Sequence, residues 1–179
     1  LSASLGAWAK YYWPKSGDNR SLQQAFARMD TPRLLRCNQS RPYSGRLVAE
    51  QDCAIASPSR SPAILVWGDS HAFHLQPAMA TYGQRHELGI RLRYMAGCPP
   101  LRGYSPDGLN RNGAVGCPEF NEDVIAEISR LSRLHPVVVV LAARWSNYFG
   151  GPEADAAGIV AFRKTAESLA AKDVRMVVV

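Results

Sequence analysis

The stretch Ala63-Ile-Leu-Val-Trp-Gly-Asp-Ser-His-Ala72 decides the reading of this chain. Ala63–Trp67 is a short apolar run of the kind that forms a strand buried on both faces. Gly68 then permits a tight turn, and a helix is expected from Ser70. A strand entering a helix through Gly-Asp-Ser presents the serine beyond the carboxyl end of the strand, where open α/β sheets bind their ligands. Ser70 is therefore a candidate nucleophile. Backbone N–H groups at that helix start can stabilise a developing oxyanion. Asp69 reads as a capping or structural carboxylate. The plainer alternative is that Ser70 is only a helix N-cap, a role serine fills often.

Outward from this stretch the pattern repeats. A helix is expected over Ser70–His86, with Pro77 marking a kink or late start. Ile90–Met95 reads as a second strand alternating apolar residues with Arg, and Gly97–Gly116 as a loop. Pro118 opens a helix whose apolar side is Val124, Ile125, Ile128, Leu131 and Leu134. Val137–Leu141 is a third strand, Ala154–Ala171 a third helix and Val174–Val179 the start of a fourth strand. Alternating strands and helices predict an α/β fold, a three-layer α/β/α arrangement around a mainly parallel sheet. An unprotected Val-Val-Val edge invites aggregation, so the sheet is expected to be incomplete in this chain. Residues 61–179 are assigned to the α/β domain. Residues 1–60 read as an irregular extension, with a short helix over Ser21–Met29 and a polar, turn-rich stretch over Arg33–Pro62.

Composition bounds the function. Of 179 residues, 46% are hydrophobic and 20% charged, which marks a globular chain. The net charge of +6 comes from scattered arginines without a basic block, so no nucleic-acid partner is expected. No apolar run approaches a membrane span. Leu1–Trp13 lacks the basic start and apolar centre of a signal peptide, so export would depend on sequence outside this chain.

Cys37, Cys53, Cys98 and Cys117 are even in number and enclose loop-like intervals. Two local bridges, Cys37–Cys53 and Cys98–Cys117, are the simplest of three pairings and imply an oxidising compartment. Zinc is the rival reading, but there is no Cys-x-x-Cys and no His beside these cysteines. No metal and no cofactor are expected.

Gly68-Asp69-Ser70-His71 resembles the first block of the SGNH (GDSL-like) hydrolases. Leu65–Ala72, Gly97-Cys-Pro-Pro-Leu101, Cys117 and Leu141-Ala-Ala-Arg-Trp145, in that order, are closer still to the SGNH domains fused behind bacterial acyltransferase-3 membrane domains. The resemblance spans about residues 37–179. It implies an SGNH-hydrolase-like, flavodoxin-like fold and a serine-dependent O-acyltransferase, usually an O-acetyltransferase, acting on cell-surface or secreted glycans. The partners implied are an acyl donor delivered by the fused membrane domain and a glycan acceptor. The place implied is the periplasmic or extracellular face, tethered to the membrane. By this resemblance Ser70 is the nucleophile, and the N–H groups of Ser70 and Gly97 are oxyanion donors. The block that supplies an Asn donor in ordinary members reads Ala143-Arg144-Trp145 here. Asn147 is a nearby substitute, and Arg144 and Trp145 are candidate substrate contacts. The family's base lies in an Asp-x-x-His block, and no Asp in this chain has a His three residues later. Of His71, His74, His86 and His135, His71 should point away from the Ser70 hydroxyl, and His74, one turn on, is a conceivable substitute. The catalytic machinery is thus expected to be partly absent from this chain. A carbohydrate esterase and a non-catalytic glycan-binding module are the alternatives.

Overall fold

The computed structural model describes residues 36–39, 42–56, 61–104, 115–149 and 152–179, without the side chains of 152–155. The helix expected over Ser21–Met29 lies outside them. The strands are β1 (Ala54–Ala56), β2 (Pro62–Gly68), β3 (Gly89–Tyr94), β4 (Val138–Ala142) and β5 (Arg175–Val178). The α-helices are α1 (Ser70–His74), α2 (Gln76–Arg85), α3 (Cys117–Ser132) and α4 (Pro152–Ala170). The sheet order is β1-β3-β2-β4-β5. All pairs are parallel except β1 with β3. The parallel strands alone run second, first, third, fourth, which is the flavodoxin-like order of a doubly wound sheet. Consecutive strands diverge to either side of β2, so a crevice opens between the carboxyl ends of β2 and β4.

Alternate residues of each strand serve opposite layers. Ile64, Val66, Ile90, Leu92, Val140 and Ala142 pack with Ala72, Phe73 and Met79 of α1 and α2. Leu65, Trp67, Val139 and Leu141 pack with Phe120, Val124, Ile128 and Leu131 of α3 and with Leu169 of α4. Full burial of a Val, Leu, Ile or Phe side chain contributes about 1.5–3 kcal/mol. These two faces make the expected three layers.

Strand β3 carries charge into the second layer. Arg91 and Arg93 are buried and meet Glu127 of α3: Arg91 Nη1 at 2.5 Å, Arg93 Nε at 2.6 Å and Arg93 Nη2 at 2.9 Å. Arg91 also donates to Glu50 at 2.6 Å, and Arg93 to the Val48 carbonyl at 2.7 Å. Residues 42–50 thus lie along β3 and α3 as a strap. Tyr43, at its start, donates to Asp123 of α3 and packs edge-on against Phe120. Burial pushes the Glu127 carboxyl up, but the hydrogen bonds and charges of Arg93 and Arg91 outweigh it and hold the carboxyl below its ordinary range.

Two local expectations change. The single helix expected from Ser70 to His86 is two helices that break at Leu75, with Pro77 in the first turn of the second. Proline lacks the N–H that would bond back into α1, and its ring would meet the carbonyl four residues earlier. Inside the first sixty residues, Ala54–Ala56 joins the sheet beside β3. Three residues are too few for a strand period to show. Both bridges form, Cys37–Cys53 and Cys98–Cys117.

Candidate active site

Ser70 stands at the carboxyl end of β2, as its first residue of α1, and is partly exposed. Gly68 makes this turn possible for a steric reason. A Cβ there would come 1.7 Å from the Ala142 carbonyl oxygen, so β2 and β4 close to this distance only around glycine. Asp69 N donates to the same oxygen at 3.3 Å.

Asp69 is the N-cap of α1 and is buried. Its Oδ1 accepts from His71 N at 2.7 Å and lies 3.2 Å from His71 Nδ1. Its Oδ2 accepts from Arg144 N at 3.0 Å and from the Tyr148 hydroxyl at 2.8 Å. One carboxylate therefore ties the Ser70 turn to the segment after β4, across the crevice where the strand order diverges. Burial, first, and then the Asp69 carboxylate raise the Tyr148 phenol, which keeps its proton.

The other predicted residues are placed as follows. Gly97, at φ 77°, turns the chain just after β3, and Met95 N, two residues earlier, donates to the Gly68 carbonyl at 3.2 Å. The N–H groups of Ser70 and Gly97 have no partner among the described residues. Arg144 is exposed, with its backbone on Asp69. Trp145 and Asn147 lie in a 3-10 turn, Trp145–Asn147, directly after it. Trp145 stacks on Phe149 at 5.8 Å and donates its indole N–H to the Val179 carbonyl at 2.7 Å. Asn147 is exposed. Since α1 has only five residues, its dipole is small.

No imidazole among the described residues hydrogen-bonds the Ser70 hydroxyl. His71 turns to Asp69, and His74 is exposed, its ring 5.5 Å from that of His71. His86 is exposed at the far end of α2, and His135 precedes β4 at the opposite end of the sheet. Tyr148 was missed by sequence reasoning. Its partner is 79 residues away, and no spacing marks it.

Residues 36–179 match the family described as SGNH domain (fused to AT3 domains). The chain belongs to this family. The SGNH domain is also similar in fold to the solved periplasmic domain of the lipopolysaccharide acetyltransferase of Salmonella ser. Paratyphi A, with a TM-score of 0.55 and 18% identity. That similarity covers 91% of this chain and 58% of the Salmonella chain. None of the curated proteins matches the sequence. No helix among the described residues of the SGNH domain is long and apolar enough to cross a membrane.

Proposed function

We propose that this SGNH domain is the extracytoplasmic part of an O-acyltransferase that acetylates a cell-surface or secreted glycan through an ester on Ser70. The observation that carries the reading is the position of Ser70. Ser70 follows the strand at the divergence point of a doubly wound sheet, in a turn that the Asp69 carboxylate ties to Arg144 N, and its own N–H has no partner among the described residues. In the first half-reaction Ser70 Oγ bonds to the acyl carbon, the bond from that carbon to the donor breaks, and the serine proton passes to the donor's leaving group. In the second, a sugar hydroxyl bonds to the acyl carbon, the serine ester breaks, and the hydroxyl proton returns to Ser70. Ser70 N–H and Gly97 N–H serve the oxyanion in both steps, with the Asn147 amide a further donor. Arg144 and Trp145 contact the glycan. The family's AT3 fusion supports a membrane partner that delivers the acyl group, and the two disulfides support an oxidising, extracytoplasmic location. Serine needs a base to attack at neutral pH, so a proton acceptor must come within hydrogen-bond reach of Ser70 for turnover.

The test is Ser70→Ala in the intact protein in its source cell. O-acetyl signals of the surface glycan, read by NMR, should disappear, and peptide mass spectrometry of the unaltered protein should find an acetylated Ser70. A second reading, a glycan-binding module, is favoured by the lack of a base on the Ser70 hydroxyl among the described residues. Unchanged O-acetylation in Ser70→Ala would put that reading first.

A further inference from the structure

We infer that Tyr148 is a positioning residue of this site, setting through Asp69 the register between the Ser70 turn and the Arg144–Asn147 segment. The functional side of this inference rests on the reading of Ser70 as nucleophile.

The Asp69 carboxylate is enclosed, with a side chain 3% exposed. A buried carboxylate is tolerated only when donors surround it. Here the donors come from two sides. Oδ1 serves the Ser70 turn through His71, and Oδ2 serves the segment after β4 through Arg144 N and the Tyr148 hydroxyl. Tyr148 is the one side chain from the β4 side that bonds this carboxylate among the described residues. Its ring is itself fixed. It is 3% exposed and meets Tyr104 edge-on at 6.4 Å. Behind it the α4 backbone comes so close at Gly158 that a Cβ there would lie 2.6 Å from Phe149 and 3.2 Å from the Tyr148 carbonyl oxygen. A rigid phenol thus meets a rigid carboxylate, and charge assistance makes that hydrogen bond a strong one. The placement of Arg144 relative to Ser70 follows, because Arg144 N shares Oδ2 with the phenol.

Tyr148→Phe keeps the ring and removes the hydroxyl. In the intact protein, residue-resolved hydrogen exchange should show the Arg144 and His71 amides both exchanging about tenfold faster, as for loss of a hydrogen bond to a charged group. His71 is the deciding amide. It bonds the other carboxylate oxygen, and a role confined to loop packing would leave it unchanged. Faster exchange at Arg144 alone, or at neither, would overturn the inference. Turnover of p-nitrophenyl acetate is measured in parallel for Tyr148→Phe and Ser70→Ala, with kcat for Tyr148→Phe expected to fall about tenfold and KM to hold. Turnover that persists in Ser70→Ala removes the nucleophile reading and leaves the exchange result to decide the coupling. Loss of turnover in Ser70→Ala, with kcat intact in Tyr148→Phe, removes the positioning role and leaves the nucleophile.

Discussion

The indole N–H of Trp67 donates to the side-chain oxygen of Asn121 across 3.1 Å, in a core where both side chains are inaccessible to solvent. The Asn121 amide nitrogen donates in turn to the carbonyls of Pro99 and Leu101, each at 3.0 Å. Three segments meet on one carboxamide: the strand that leads to Ser70, the loop that begins at Gly97, and α3.

Asn121→Leu keeps most of the volume, strands the Trp67 indole donor and removes one of the donors to each carbonyl, Pro99 keeping Leu101 N and Leu101 keeping Tyr104 N. The orphaned donor costs about 1–3 kcal/mol, and each of the two lost amide hydrogen bonds about 0.5–1.5 kcal/mol. The expected loss is about 3 kcal/mol, or about 6–12 °C in Tm for a chain of this size. Thermal unfolding followed by circular dichroism checks it. A shift under a degree would show that the Trp67 indole finds another acceptor.

Glu127→Gln should cost about 3–5 kcal/mol, because two buried guanidiniums lose their shared counter-charge. The same carboxylate sets a pH dependence. Its pKa is lower folded than unfolded, so its stabilisation is complete above about pH 4.3, the unfolded value, and fades as the pH falls through the folded value. Urea midpoints from neutral to acid pH should therefore fall less steeply in Glu127→Gln than in the unaltered protein. Parallel curves would contradict the assignment.

Gly68→Ala should prevent the β2–β4 end from closing. The added methyl meets a backbone carbonyl rather than a side chain that can turn away, so the cost is at least about 3 kcal/mol. Soluble yield and near-ultraviolet circular dichroism should both drop sharply, while Gly103→Ala, with open space around its Cβ but a φ of 69°, should lose only the modest strain of that backbone.

What the sequence shows plainly here is what neighbouring residues decide. Val137–Leu141 reads as a strand covered on both faces because every position is apolar, and β4 has that environment. The strand-to-helix turn at Ser70 was legible because Gly-Asp-Ser directly follows an apolar run, whereas Arg144 and Trp145 were singled out only by the family resemblance. The break at Leu75 was half legible, through Pro77. What stayed hidden depends on partners far along the chain. Arg91 and Arg93 look like the outward half of an alternating strand until Glu127 and Glu50 are brought to them. Asp69 reads as a local cap until Tyr148 arrives from the other side of the sheet, and Asn121 looks like any polar residue of α3.

The Cys98–Cys117 bridge bears on how quickly this chain reaches its native arrangement. Parallel pairing of Ile64 with Val138 must wait until α1, α2, β3, the following loop and α3 have been reeled in. Contacts so distant along the chain make folding slow, since loop closure comes before any reward. Once the two sulfurs are joined, the stretch between them no longer counts towards that excursion, and α3 begins where the loop is pinched. A chain oxidised early thus searches a shorter effective tether for β4 than a reduced one, and spends less time with its central strand half paired.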